Sequence, residues 1–408
     1  MRFIDLFSGC GGLSLGLTKA GWKGVFAIEK SEDAFKTFAH NFNRKKALKF
    51  DWPEWLPHEP ISTSELLEQY RVQLIALKGK IDLIAGGPPC QGFSFAGRRQ
   101  EGDPRNQLKN EYLEIVNIIR PKFLVFENVK GFTAKFQGAK KQTHSEQVVE
   151  QLEGLSWGGY RTFSSVINAS SFGVPQPRPR FILVAVRADL ADENSGIEDP
   201  FQNISEYAAN FRARKKLNGH KISAKEAISD LEVESSGVHS SEDTNGFKQI
   251  NYRAETHSEF QKLMRKGLPA GKRANSLRLA RHRPKTLLRF KEILESCPKG
   301  KSLPREFREK YNIKKQCFTP LHPDELSKTI TTLPDDLLHY SEPRILTVRE
   351  CARLQTFPDW FEFLGKYTTG GVRRKQECPR YTQVGNAVPP LMAEALGLKI
   401  IEMAKTHG

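Results

Sequence analysis

The sequence predicts an α/β fold built on a mostly parallel sheet, with a second, smaller domain inserted before the chain returns to the first. Three observations lead there. Over the first 190 residues, short apolar runs alternate with segments of helical periodicity, the pattern of strands covered by helices on both faces. From about Asp189 that alternation gives way to Ser-rich, polar and charged sequence. Regular patterning resumes with Thr347 to Gln355 and closes in an apolar stripe through Leu391, Ala395, Leu398 and Ile401.

Strands are expected at Phe3 to Phe7, Gly24 to Ile28, Ile81 to Ala85, Lys122 to Phe126 and Arg180 to Val186. Helical periodicity marks Leu13 to Ala20, Glu65 to Leu77 and Tyr112 to Ile119. Glu232 to Asn245 reads as an acidic loop. The expected domains are therefore 1–188, 189–343 and a return over 344–408.

No apolar run approaches the ~20 residues of a membrane span, and hydrophobic content of 38% with 27% charged residues is that of a globular chain. A strand beginning at Phe3 leaves no room for a signal or transit peptide, so a cytoplasmic location is expected. Cys10, Cys90, Cys297, Cys317, Cys351 and Cys378 are scattered, with no CxxC pair and no zinc-ligand spacing; thiols and no metal are expected.

The net charge of +16 favours a polyanionic partner. Gln261 to Pro320 carries 18 Lys or Arg against 4 Asp or Glu, so one segment holds most of the excess. Within it Arg273, Arg278, Arg281, Arg283, Lys285 and Arg289 are the candidate phosphate contacts.

In open parallel sheets ligands bind beyond the carboxyl ends of the strands. After the first strand stands Ser8-Gly9-Cys10-Gly11-Gly12, a turn whose glycines let backbone approach a ligand closely. Glu29 follows the second strand, placed to accept hydrogen bonds from ribose hydroxyls. Together they point to an adenosine-type cofactor, while Ser14 in the third position breaks the GxGxxG pattern of dinucleotide sites. Gly86-Gly87-Pro88-Pro89-Cys90-Gln91-Gly92 follows the third strand and sets a thiol in a turn stiffened by two prolines, where it can act as a nucleophile. Glu127-Asn128-Val129 ends the fourth and brings a carboxylate to the same edge.

These strings resemble the motifs of the DNA (cytosine-5)-methyltransferase family, in the family's order. Asp5 to Gly12 is similar to its cofactor loop, Gly87 to Ser94 to its nucleophile loop, and Glu127-Asn128-Val129 to its acid motif. Gln176-Pro177-Arg178-Pro179-Arg180 matches a Gln-x-Arg-x-Arg element, Arg349 to Gln355 the element after the recognition domain, and Gln383 to Pro390 the last motif, which in the family packs beside the first. The unmatched stretch, about Asp189 to Pro343, falls where the family has its target-recognition domain. The resemblance implies a Rossmann-like methyltransferase sheet acting on double-stranded DNA with S-adenosylmethionine.

It also implies roles. Phe7 would stack on the adenine, Gly9, Gly11, Gly12 and Pro88 would line the cofactor, Glu29 would hold the ribose, Asp51 the adenine edge, and Asn386 would close the site. Cys90 would add to carbon 6 of the cytosine, Glu127 would hydrogen-bond ring nitrogen 3 and the amine, and Arg180, with Arg178 beside it in the motif, would steady the base oxygen and that carboxylate. The base that removes the carbon 5 proton is not assigned; a water chain is one route. Since carbon 6 is out of reach in a stacked duplex, the cytosine must be flipped out. Phe95 to Leu108 would close over it, with Gln91, Ser94, Arg98, Arg99 and Arg105 meeting DNA.

Rival readings stay open. Some relatives methylate tRNA; Cys317-Phe318-Thr319 echoes them, but Pro320-Leu321-His322 does not continue the pattern. An inactive DNA-binding homologue predicts damage at Cys90, Glu127 or Arg180, and all three are present. An amino-group methyltransferase needs an aromatic residue in place of Cys90, and a nicotinamide enzyme is further off. Compactness resembles the prokaryotic enzymes of restriction systems, for which a monomer and a partner endonuclease of the same site are expected.

Overall fold

The computed structural model describes residues 1–44, 48–89, 107–134, 142–191, 196–217, 219–253, 255–369, 373 and 377–405. It divides into two compact units: Met1–Ser171 with Pro179–Ala208 and Met392–Gly408, and Phe172–Arg178 with Ala209–Leu391.

The first unit runs β1 (Arg2–Leu6), α1 (Gly12–Ala20), β2 (Lys23–Ile28), α2 (Glu32–Arg44), α3 (Thr63–Gln69), α4 (Arg71–Ala76), β3 (Leu83–Gly86), α5 (Leu108–Ile119), β4 (Phe123–Val129), α6 (His144–Glu153), β5 (Tyr160–Asn168) and β6 (Pro179–Arg187). The sheet order is β2-β1-β3-β4-β6-β5. β1 pairs in parallel with β2 and β3, and β3 with β4, whereas β6 runs antiparallel to both β4 and β5. The expected α/β class and mainly parallel sheet are thus observed. Ile4, Leu6, Phe26, Ile84, Leu124 and Phe126 from the strands pack with Leu66, Tyr112, Ile115, Val148 and Leu152 from the helices in one core.

Differences from the sequence reading have local causes. The helix expected over Glu65 to Leu77 is two, because Tyr70 leaves helical geometry at φ −122°, ψ 23°. β5 was not expected: in this edge strand only Tyr160 and Ile167 are buried, and Arg161, Thr162, Ser164 and Ser165 are polar, so no apolar run announces it. The last helix returns to this unit, where the Trp22 indole donates to the Gly397 carbonyl at 3.0 Å. A Cβ on Gly397 would stand 2.9 Å from that of Ala20, so the glycine permits the close packing against α1.

The second unit takes up the chain within α7 (Ile204–Arg214) and continues through α8 (Ala224–Ile228), α9 (Val233–Ser236), β7 (Val238–Ser240), β8 (Lys248–Ile250), α10 (Glu259–Arg265), α11 (Pro284–Ser296), α12 (Arg305–Lys310), β9 (Thr319–Pro320), β10 (Leu337–Leu338), α13 (Val348–Leu354), α14 (Arg380–Asn386) and the start of α15 (Pro390–Lys405). The stretch read as an acidic loop contains α9 and β7, since Val233 packs with Leu231, Ile250 and Leu277, and Val238 pairs with Ile250. Charge as well as oil fills this unit. Fully buried Arg353 forks onto Asp359 at 2.9 and 2.7 Å and also bonds Asp230, which Arg265 shares. Arg344 grips Glu350 through two 2.8 Å bonds, and Glu350 in turn caps α13 with Thr347.

Candidate active site

The carboxyl ends of the parallel strands gather the polar groups. After β1 the chain turns sharply: Phe7 has φ 61°, Gly9 55° and Gly11 96°, the left-handed region that glycine enters at no steric cost. The turn is held by Gly11 N–H donating to the Ser8 carbonyl at 2.9 Å and Ser8 N–H to Ile28 at 3.0 Å. A Cβ on Gly11 would strike the Phe42 and Phe38 rings at 2.4 and 2.9 Å, whereas one on Gly9 would meet nothing within 4 Å. Gly11 is required by packing and Gly9 leaves room for a visitor. Gly12 opens α1 and is buried.

Glu29 ties this turn to the next. Its carboxylate accepts from Gly9 N–H at 3.0 Å and Ser31 N–H at 2.7 Å, leaving lone pairs for further donors. Burial raises its pKa above the usual value, opposed by those backbone bonds and by Lys30. Asp51 is exposed and lies 3.3 Å from Lys23 in an ion pair. Phe7 is half-buried.

The sequence places Asp5 at the start of the cofactor-loop motif but gives it no role; the structure sets it beneath the turn. Its carboxyl is 1% exposed and accepts from the Ser14 hydroxyl at 2.5 Å, while Oδ1 and the buried Ser8 hydroxyl have no partner among the described residues. Burial, offset in part by Ser14, lifts its pKa to about 7. A charged residue inside an apolar strand was the available signal.

At the end of β3, Gly86 and Gly87 allow two close approaches. A Cβ on Gly86 would lie 2.7 Å from the Leu6 carbonyl, and one on Gly87 would lie 2.8 Å from Glu127 Oε2. The buried Asn128 amide donates to the Pro88 carbonyl at 3.3 Å. The segment leading to Cys90 is thereby clamped against the end of β4. There Arg180 Nε meets Glu127 Oε1 at 2.8 Å, both side chains nearly buried, and Arg180 also donates to the Pro179 carbonyl at 2.8 Å. The two residues lie on adjacent antiparallel strands, with Arg180 opposite Val129 in the register. Cys90, Gln91, Ser94, Arg98, Arg99 and Arg105 lie outside the described residues, as does all of the expected covering loop but Gln107 and Leu108, which begin α5.

The remaining candidates belong to the second unit. Arg178 is 2% exposed, and its guanidinium donates to the carbonyls of Ile330 at 2.9 Å, Gly385 at 2.6 Å and Ala387 at 3.2 Å, a bracing contact. Gln176 ties the same motif to Leu354 and Gln355 at 2.7 and 3.0 Å. Asn386 is exposed at the end of α14. Arg281, Arg283 and Lys285 are exposed, and Arg273 reaches Glu242 at 3.3 Å. Arg278 is held over aromatic rings, and Arg289 lies over Phe290 at 5.6 Å. No disulfide joins the described cysteines, and no described helix is long and apolar enough to cross a membrane.

A glycine turn and a carboxylate after the first two strands, with an acid–guanidinium pair across β4 and β6, define the class as a Rossmann-like α/β protein with a ligand site at its strand ends. The chain belongs to the C-5 cytosine-specific DNA methylase family, whose pattern matches residues 1–402, and so is a DNA (cytosine-5)-methyltransferase. It is similar to the Type II methyltransferase M.DdeI of Desulfomicrobium norvegicum, 30% identical over 98% of this chain and 88% of the relative. It is likewise similar to the Type II methyltransferase M1.HphI of Haemophilus parahaemolyticus, 30% identical over 99% and 87%. A solved structure described as a prophage-encoded DNA modification methyltransferase of E. coli has a TM-score of 0.67 with 23% identity, over 99% of both chains, and shares the fold.

Proposed function

We propose that the enzyme methylates carbon 5 of a cytosine flipped out of a specific duplex site, through a transient Cys90 adduct and with S-adenosylmethionine as donor. The observation that carries the reading is Gly87 packed on Glu127, itself paired with Arg180, three residues before Cys90. In this mechanism the Cys90 thiolate bonds to carbon 6, and the electron pair of the 5,6 double bond moves to carbon 5. Glu127 donates a shared proton to nitrogen 3 and accepts from the amine as charge builds, and Arg180 holds Glu127 in place. Once carbon 5 carries the methyl group, a water chain takes the carbon 5 proton, the freed electron pair restores the 5,6 double bond and Cys90 leaves as the thiolate.

The residues present fit the donor. Open space beside Gly9, free lone pairs on Glu29 and the unpartnered Ser8 hydroxyl suit a ligand bearing ribose hydroxyls and an amino acid moiety. When bound, it supplies an electrophilic sulfonium methyl group. Phe7, Gly9 and Glu29 would hold it. We assign catalysis to 1–188 with 344–408 and site recognition to 189–343, where Arg281, Arg283 and Lys285 would contact phosphates. We further propose a cytoplasmic monomer that protects host DNA beside an endonuclease of the same site; the Type II names of the relatives support the protective role alone.

Expression in an unmethylated host followed by bisulfite sequencing tests this: one short motif should be modified by the wild type and none by Cys90→Ser. A blank map, with methylated RNA in its place, would contradict it.

A further inference from the structure

The short β7–β8 hairpin has a third member. Ile250 N–H donates to the Leu277 carbonyl at 3.2 Å, Leu279 N–H to the Lys248 carbonyl at 2.8 Å, and Gln249 forms an antiparallel bridge with Arg278. Side chains alternate across such a ribbon. Ile250, Leu277 and Leu279 turn to one face and join Leu231 and Val233 in a small core. His239 pairs with Gln249 in the register, so His239, Gln249 and Arg278 form a row on the other face.

That row is held rigid. The Gln249 carboxamide oxygen accepts from the Ser241 hydroxyl and Glu242 N–H at 3.2 Å each, its nitrogen lies 2.9 Å from His239 Nε2, and His239 Nδ1 lies 2.5 Å from the Asn251 carboxamide. The Arg278 guanidinium sits over the Phe247 ring at 4.1 Å and over the Tyr367 ring at 3.7 Å. Asp243, the nearby carboxylate, is engaged by Arg380 at 2.8 Å and the Tyr367 hydroxyl at 2.7 Å. Arg344, Arg349, Arg353 and Arg380 of this unit all donate to carboxylates or carbonyls. Arg278 makes no hydrogen bond or ion pair with the described residues, and its Nε is buried without a partner. Partial burial holds its pKa below the usual value, against the opposing pull of Tyr367, Tyr381 and Asp243.

We infer that this polar face enters the major groove, with Arg278 the fixed reader of one guanine in the target site. Rings over the guanidinium leave its hydrogen-bonding directions in the plane, and the two acceptors of guanine, O6 and N7, match that edge. A ribbon face is a known width for the major groove, and its setting in the most basic segment of the chain suits a polyanion. The inference rests on the proposed action on duplex DNA and adds which group reads a base.

The test uses the whole enzyme and duplexes carrying its mapped site, with each guanine replaced in turn by 7-deazaguanine, which lacks N7. Wild type should slow by about 10- to 100-fold at one position. Arg278→Lys keeps the cation and loses the planar fork; it should still methylate but be indifferent to the replacement there and accept other bases at that pair. Phe247→Leu, which keeps Arg278 and loosens its clamp, should weaken discrimination several-fold at that same pair. Melting curves accompany both variants. Indifference of the wild type to every replacement, a site without guanine, or variants that discriminate as the wild type does would overturn the inference. Failure of the wild type to methylate any duplex would instead strike the function itself.

Discussion

Arg180 Nε donates to Glu127 Oε1 at 2.8 Å across the antiparallel β4–β6 pair, with only 12% and 13% of the two side chains exposed. Two partly desolvated charges at this edge hold each other in one orientation, so the pair is both a brace and a poised hydrogen-bonding group. Glu127→Gln keeps the shape and removes the charge. We expect kcat to fall by about 100-fold or more, with DNA affinity changed far less. Arg180→Ala leaves the carboxylate uncompensated and should also cost about 2 kcal/mol of stability. Single-turnover methyl transfer and denaturation separate the two effects.

Asp5 makes stability depend on pH. Its folded pKa of about 7 lies above the ordinary 3.8, so the folded state holds the proton more tightly than the unfolded chain. Its contribution is therefore complete below about pH 4 and is lost as pH rises through about 7, at up to about 1.4 kcal/mol per pH unit. Asp5→Asn should flatten that part of the profile in urea denaturation between pH 5 and 8. An unchanged slope would mean the wild-type carboxyl titrates normally.

The two glycines of the first turn should fail differently. Gly11→Ala forces a Cβ into the Phe42 and Phe38 rings at φ 96° and should lower stability by more than about 2 kcal/mol. Gly9→Ala at φ 55° enters open space and should cost only about 1 kcal/mol. Its affinity for S-adenosylhomocysteine, measured by calorimetry, should fall at least tenfold. The opposite ranking would remove Gly9 from the proposed cofactor surface.

In the second unit Asp359→Asn strips the carboxylate from fully buried Arg353 while leaving an amide of the same size. A broken buried pair leaves an uncompensated charge, and a loss of about 3 kcal/mol is expected in chemical denaturation. A loss under about 0.5 kcal/mol would show that Asp230 alone suffices.

How far the sequence could be read follows from the range of each interaction. β1, β2, β3, β4 and β6 announce themselves as apolar runs because both faces of the sheet are covered. Edge strand β5 does not, since Arg161, Thr162 and Ser164 interrupt it, and α6 was missed although Thr143 and Glu146 form a capping box at its start. Glu127 and Arg180 were legible as chemical types at strand ends. That Gly87 packs on Glu127 was not, nor that Arg178 braces carbonyls of Ile330 and Gly385, because those partners come from remote sequence. The reading of 232–245 as a loop failed likewise: Val233 and Val238 look isolated until Ile250 and Leu277 meet them.

The covalent step is open to one direct measurement. The enzyme is incubated with donor and a duplex whose target cytosine bears fluorine at carbon 5, where no proton can leave, and the product is digested for mass spectrometry. A stable methylated nucleotide attached to the Cys90 peptide, absent with Cys90→Ser, is the predicted result. Ordinary duplex methylated at full rate by Cys90→Ser, or no trapped species from an active wild type, would contradict the mechanism.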